Sequence, residues 1–536
     1  MFLKNLLRKT LFLSILVVIP VFSCRNSNLD NESKTVTIAI LNFPTEFDPR
    51  TAQRISDRTV LANLYEGLLK EREDNYSLEY ALAESVHISE DNLIYTFKLK
   101  DTYWSNGDPV TSTDFKESWL QLLSPDFPAV SPKILDCIKN ARKTGKGIPI
   151  TESVGIYDPD PHTLRIELER PYSCFLKLTT TPVLFPVHKN IRHSYLTGKK
   201  TGTGDVISSG PFRIEESSSD KILLLKKNNY YYDKRLVRLE ALKFLLIPSS
   251  HTAYLMFRNK TIDWFGQPFT VIHNEALDEL KKNQNLLKFD VVGTTWLLSN
   301  HTSGPLSNKK FRQALSLSID RENIVKGVLR AHQLPTSKIL PPSFHSSSQY
   351  LTEKTDYNTA KAKQLFKEAI EEMGVRPQNC RFKLSYSTTT PRYALLAQVL
   401  CENWQSVLGL EISPQGFDKK TVNSLMEDKK FDMIIDCRIP AINDAVNFLE
   451  IFESYKRFYF LILEKEKFTK LLMRIRKENN YYEKSILLRQ VEKFFEEEST
   501  IIPIYSISFD FAVNPRLTGF RNCLSGSVDF KTAEVK

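Results

Sequence analysis

Segments with the two-residue period of strands alternate with segments carrying an apolar helix stripe along this whole chain, and that alternation specifies a mixed α/β fold. Strand patterns run over Thr35–Ile40, Leu93–Lys100, Leu164–Leu168, Lys221–Lys227, Leu239–Pro248, Leu410–Ser413 and Phe431–Asp436. Between them lie helix patterns, of which Leu61–Lys70 is a short one. Thr111, three residues before Asp114, forms a capping box ahead of a face made by Phe115, Trp119 and Leu122. Asn308 caps a stripe of Phe311, Leu315 and Ile319. Asn358 caps one of Ala362, Leu365, Phe366, Ala369 and Met373, which Gly374 stops in the left-handed conformation. Leu396, Leu400, Trp404 and Leu408 form a further stripe ending at Gly409, and two charged helices follow over Glu464–Lys477 and Tyr481–Glu497. Stripes of this kind are core faces rather than ligand sites.

The N-terminus has the form of an export signal. Lys4, Arg8 and Lys9 precede an apolar run, Leu11–Val21, that is too short to span a bilayer, which takes about 20 apolar residues. The run ends at Ser23-Cys24, and polar Arg25–Asn28 follows. A small residue before a cysteine at the cleavage point resembles the bacterial lipobox. That resemblance implies removal of residues 1–23, a diacylglycerol on Cys24, and an exported protein held to a membrane in the periplasm or at the cell surface. Phe22 is bulkier than the pattern usually carries. About 510 residues then remain, too many for one compact core, so two or more domains are expected.

Composition and motifs exclude several functions. The net charge of +10 is spread as Lys and Arg interleaved with Asp and Glu, without an arginine-rich arm or zinc-finger spacing, which argues against nucleic acid as a partner and favours a surface facing anionic lipid. Seven cysteines include no CxxC pair; Cys380 and Cys401 are either a disulfide or two free thiols. No HExxH or GxSxG occurs. The stretch Thr197–Gly204 looks like a phosphate loop but lacks its first glycine and a preceding buried strand. Asp158–Asp160 and His162 form a polar surface turn. With no catalytic constellation, metal set or cofactor motif, the chain is expected to hold something rather than transform it.

The sharpest motif is Trp104-Ser105-Asn106-Gly107-Asp108-Pro109-Val110-Thr111-Ser112-Thr113-Asp114-Phe115. Asn106-Gly107 makes a turn after the preceding strand, and Asp108-Pro109 fixes the approach to the capped helix. The segment resembles the signature of extracellular solute-binding proteins of the oligopeptide-transport family. Other blocks agree in order: Phe47-Asp48-Pro49 with Asn63–Leu68, Ser209-Gly210-Pro211-Phe212, Asn228–Asp233, Lys310–Leu315 with Ile319-Asp320-Arg321, Tyr357-Asn358, and Pro503–Gly519. The resemblance covers about 35–535. It implies a type II periplasmic-binding-protein fold, two α/β lobes joined by a hinge, plus an extra small α/β domain. The first lobe would comprise 25–66, 189–293 and 502–536, the added domain 67–188, and the second lobe 294–501.

What the resemblance implies about function is a monomeric, non-enzymatic substrate-binding lipoprotein of an ABC importer. It would close over short peptides between its lobes and deliver them to membrane permease subunits. The first-lobe wall would include Gln53, Arg54, Ile55 and Ser56, and the hinge strand would offer Trp296 and Asn300. Peptide-binding relatives carry a Trp-Cys-Ala-Asp-Tyr-Asn-Glu-like run in the second lobe, whose aspartate holds the ligand's α-amino group. Here that run reads Arg438-Ile439-Pro440-Ala441-Ile442-Asn443-Asp444, with Ala441 in the aspartate's place. Upstream positions where relatives place tryptophan and arginines are Lys419, Met426 and Ile435. A buried ammonium needs a counter-charge. Asp444 or Asp436 supplies it, or the ligand has no free amine there and Arg438 meets a carboxylate instead. The departures leave open a cell-wall peptide, metal complex or haem as ligand, and a surface adhesin or sensor as a separate role.

Overall fold

The computed structural model describes residues 34–52, 54–72, 77–128, 133–143, 154–196, 203–218, 221–344, 356–390, 392–440, 442–478 and 480–536. In chain order, the elements that place the site are β1 (Thr35–Ile40), α1 (Ile55–Leu64), β2 (Ala83–Ile88), β3 (Ile94–Leu99), α2 (Ser112–Leu122), β4 (Ile156–Asp160), β5 (Thr163–Glu167), β6 (Phe212–Ser218), β7 (Ile222–Lys227), β8 (Ala241–Leu246), β9 (Trp264–Gly266) and β10 (Leu287–Ser299). They continue with α3 (Lys309–Leu317), α4 (Thr359–Met373), β11 (Phe382–Ser387), α5 (Tyr393–Leu408), β12 (Ile412–Phe417), α6 (Lys419–Glu427), β13 (Met433–Arg438), α7 (Ala445–Ser454), α8 (Lys465–Lys477), α9 (Tyr481–Glu498) and β14 (Ile501–Val513).

One sheet runs in the order β12-β11-β13-β10-β14-β9-β1-β8-β7-β6. Its two central strands, β10 and β14, are 13 residues each and antiparallel. They pair as Leu287–Asp290 with Phe511–Ser508, lose register, and resume as Thr294–Leu298 with Ser506–Ile501. β13 pairs with the second half of β10, and β9 with the far end of β14. Each end of this two-strand ribbon therefore carries its own sheet, and the break in register lies between them. That is how a chain connects two lobes by a pair of strands.

The second lobe's sheet is covered on both faces, and strand alternation decides which side chain goes where. Trp296, Leu298, Ile434 and Ile501 pack toward α7–α9 with Phe448, Phe452 and Phe495. Leu297, Met433, Ile435, Ile502 and Ile504 pack toward α3–α5 with Phe311, Leu396 and Trp404. A smaller antiparallel sheet, β2-β3-β5-β4, forms the added domain. Its helix α2 buries Phe115, Trp119 and Leu122, as its periodicity predicts.

The local signals are where they were read. Thr111 and Asp114 make the reciprocal capping box, and the Asp114 carboxylate also accepts from Trp104 Nε1 at 3.2 Å. Asn308 and Asn358 cap α3 and α4, and Gly374 and Gly409 end α4 and α5 with φ of 62° and 69°. Arg312 and Arg321, within the second lobe's long motif, are fully buried and donate to the Glu498 and Pro503 carbonyls at 2.9 and 2.8 Å. These motifs are scaffold.

Of Leu61–Lys70, only Leu61–Leu64 is helical. α1 stops at Leu64, whose carbonyl accepts from the Gly210 N–H at 2.8 Å, and the chain extends at Tyr65 before Leu69–Glu71 pairs with Leu78–Tyr80. Cys380 and Cys401 are free thiols. Most of the Thr197–Gly204 stretch, like Cys24, lies outside the described residues. Among the described residues no helix is long and apolar enough to cross a membrane.

Candidate functional site

β13 leaves the second lobe at Arg438, and the chain passes through 439–443 before entering α7. The described residues of that crossing face the added domain and the first lobe. Its start is fixed by Gly293, at the break in β10: a Cβ there would lie 2.7 Å from the Arg438 carbonyl oxygen. Only glycine lets the hinge strand approach so closely. Among the described residues, three hydrogen bonds bridge the added domain to this part of the second lobe. Tyr172 donates to Glu450 at 2.5 Å, Lys177 Nζ to the Asn443 carbonyl at 3.0 Å, and Lys133 Nζ to the Ser454 carbonyl at 2.5 Å. The added domain and the second lobe are therefore in contact around the crossing.

Two cavities flank it. The first, about 240 Å³, is lined by Arg438 and Phe458 of the second lobe, Arg58 of α1, and Lys133, Arg170 and Tyr172 of the added domain. The second, about 110 Å³, lies on the Asn443 side against Glu66, Lys70, Arg521 and Lys531. Arg438 stacks 4.9 Å over the Phe458 ring. Its Nε is 3.7 Å from Asp436, which is 1% exposed and already takes Lys419 Nζ at 2.8 Å. Burial alone would push the Asp436 carboxyl up, but Arg438 and Lys419 together hold it below its ordinary value. Burial lowers the Arg58 guanidinium to about 10, against the pull of Asp57. Burial raises Glu450, which Tyr172 and Arg476 partly offset.

The structure brings together some of the residues expected at the site and removes others. Arg438 and Asn443 line the two cavities. Gln53 and Ala441 lie outside the described residues. Arg54, Ile55 and Ser56 line neither cavity. They form the start of α1, where Arg54 clamps Asp57 at 2.8 Å and the Phe43 carbonyl at 2.6 Å, Ile55 packs on the core, and Ser56 bonds Asp57 at 3.4 Å. One turn later, Arg58 reaches the cavity instead. Trp296 does not face the cleft: it is fully buried, 5.6 Å from Phe452 and 6.0 Å from Phe448, because its side of β10 is the one α7 covers. Asn300 is committed to a turn, donating to the Lys429 and Phe431 carbonyls and accepting from Thr302. Asp444 caps α7, accepting from Val446 and Asn447 N–H at 2.8 and 3.3 Å.

Neither carboxylate considered as a replacement for the missing aspartate is thus unoccupied: Asp444 serves a helix end and Asp436 serves Lys419. Sequence reasoning missed Arg58, Lys133 and Arg170. No local pattern marks them, since each comes from a different element; the +10 net charge was the only trace of them.

The model for bacterial extracellular solute-binding proteins, family 5, matches residues 77–460, well over half of the chain. The chain belongs to this family. Among this family's curated members, the chain is 27% identical to the oligopeptide-binding protein OppA of Bacillus subtilis over 515 residues, covering 95% of this chain and 94% of OppA. It is 26% identical to the periplasmic murein peptide-binding protein MppA of Escherichia coli over 511 residues, covering 91% and 90%. Family 5 folds superpose on it closely: a periplasmic oligopeptide-binding protein from Borrelia burgdorferi gives a TM-score of 0.80 at 21% identity, covering 94% of this chain and all of that one. The structure of E. coli MppA gives 0.78 at 25% identity, covering 94% and 98%. The fold is the two-lobed type II periplasmic-binding-protein fold with an added α/β domain, and the family is one of solute-binding proteins acting outside the cytoplasm.

Proposed function

We propose that this protein is the peptide-binding receptor of an ABC importer, held to a membrane by a lipid on Cys24, which encloses short peptides between its lobes and hands them intact to permease subunits. The observation that carries this reading is the pair of cavities around 438–443, enclosed by both lobes and the added domain beside a two-strand hinge. A ligand there touches every moving part, so binding it favours the closed form. The reading is supported by relatives described as oligopeptide- and dipeptide-binding proteins. The limits 25–66, 189–293 and 502–536 for the first lobe, 67–188 for the added domain and 294–501 for the second are part of the proposal, as is a monomeric state.

A cell-wall peptide is a second reading. It is favoured by the likeness to the murein peptide-binding MppA and by Ala441 in place of the amine-binding aspartate. Native mass spectrometry of the purified protein separates these readings: bound peptides of mixed sequence support the first, a single cell-wall fragment the second. A protein that is always empty, and whose melting temperature no peptide raises, refutes both.

A further inference from the structure

We propose that the cavity at Arg438 is a carboxylate-receiving subsite, so that this receptor selects acidic peptides and closes on them through their negative charge. The proposal rests on the peptide-receptor reading above and names the ligand class that the site takes.

Among the described residues, six cations line this cavity against two carboxylates, Asp136 and Glu450. Both carboxylates are already engaged: Asp136 by Arg142 at 3.1 Å, and Glu450 by Arg476 at 2.9 Å and by Tyr172 at 2.5 Å. That leaves Arg58, Lys133, Arg170 and Arg438. Lys133 is held by a backbone carbonyl, not by an anion. Arg170 is exposed and, among the described residues, has no ion-pair partner. Arg438 shares Asp436 with Lys419, and at 3.7 Å it is the more distant of the two. Its Nε and Nη2 are buried without a hydrogen-bond acceptor, and so is the Nε of Arg58.

Buried guanidinium N–H groups without acceptors are costly, and like charges facing one another across a partly enclosed cavity repel. Here they face one another from three parts that must come together on closure: Arg58 from the first lobe, Arg170 from the added domain, and Arg438 from the second lobe. A carboxylate between them supplies the missing acceptors, accepts a two-pronged contact from an arginine, and removes the repulsion. An ammonium in the same place would meet only cations and committed carboxylates. This also gives a physical reason why the chain dispenses with an aspartate at Ala441. The cavity, at about 240 Å³, is smaller than the pockets that enclose whole drug-sized ligands (about 300 Å³ and more), so it takes one acidic group and its neighbouring backbone rather than an entire peptide.

The test is calorimetric titration of the full-length protein in detergent with Ala-Ala-Glu-Ala, Ala-Ala-Gln-Ala and Ala-Ala-Lys-Ala, each as the free acid and as the C-terminal amide. The expected result is about a tenfold loss of affinity or more when the critical carboxylate is removed. Loss on Glu→Gln in the peptide assigns the subsite to an acidic side chain and supports the proposal; loss on amidation alone assigns it to the terminal carboxylate that every peptide carries and overturns the selection of acidic peptides. The Lys peptide binds weakest. In Arg438→Gln, and in Arg170→Gln should the first variant fold poorly, affinity for the acidic peptide falls severalfold more than affinity for the neutral one. A merely structural role would instead lower both together. If all six peptides bind within about twofold of one another, the carboxylate subsite is overturned and the receptor reading stands. If none binds, the receptor reading falls, and this proposal with it.

Discussion

The two cavities beside the 438–443 crossing are built from the same kinds of side chain and are balanced oppositely. On the Asn443 side every cation has a carboxylate: Lys70 and Arg72 meet Glu79 at 3.3 and 3.7 Å, Arg521 meets Asp529 at 3.3 Å, and Lys531 meets Asp233 at 2.9 Å. Glu66, below them, accepts from Tyr231 and lies 3.9 Å from Lys531. Burial alone would lower the Lys531 ammonium, yet Glu66 and Tyr232 raise it overall. On the Arg438 side the carboxylates are used up and cations remain. A network whose charges are mutually satisfied holds a structure together. One with unpaired charge of a single sign at a mobile interface is prepared for something that is not part of the chain.

That contrast predicts opposite responses to removal of charge. The largest expected effect is Glu66→Gln on the balanced side. It leaves Lys531, whose side chain is 4% exposed, with Asp233 as its remaining carboxylate, and destabilises the protein by about 3 kcal/mol in urea unfolding. An unchanged midpoint would show that this network is not structural. Asp436→Asn comes next, at about 2 kcal/mol, reduced because Lys419 is 45% exposed and can rehydrate. Its sign with pH is fixed. The carboxyl sits below its ordinary value in the folded state, so its contribution is complete at neutral pH and is lost as pH falls through the folded-state value. The gap in melting temperature between wild type and Asp436→Asn should therefore be constant from about pH 7 to pH 5 and shrink below about pH 4. A gap that widens on acidification would contradict the assignment. Tyr172→Phe follows, at about 1 kcal/mol in favour of opening, since it removes a bond between the added domain and α7. Small-angle scattering should show a larger radius of gyration for the ligand-free variant.

The same contrast explains what was legible in the sequence. The Trp104–Phe115 block could be read residue by residue because its contacts are local: the capping box spans three residues, and Trp104 bonds Asp114 ten residues on. The helix stripes that cover the second lobe's sheet followed from their periodicity, whereas the order of the strands is set by tertiary pairing and was not legible. The site did not follow in the same way. Trp296 carries no mark that tells a cleft-facing side of β10 from one covered by α7, because both sides of a doubly covered strand are apolar. An aspartate can serve a ligand or a helix end, and for Asp444 the start of α7 decides for the helix end. Arg58, Lys133, Arg170 and Arg438 come from four stretches that only the tertiary fold brings to one cavity.

The smallest effect is the most diagnostic. Arg170→Gln in the ligand-free protein should change stability by less than about 0.5 kcal/mol, because the side chain is exposed and has no ion-pair partner among the described residues. Any change should be stabilising, since one of several facing cations is gone. The sign makes the measurement useful. A residue retained for packing or pairing loses stability when truncated, whereas a residue retained for a ligand's charge does not. Raising the salt concentration should stabilise the wild type more than the variant, as screening does for the native cluster what the substitution has done for its own part. Equal salt responses would mean that the four cations do not sense one another across the lobes, and that the imbalance between the two cavities carries no electrostatic strain.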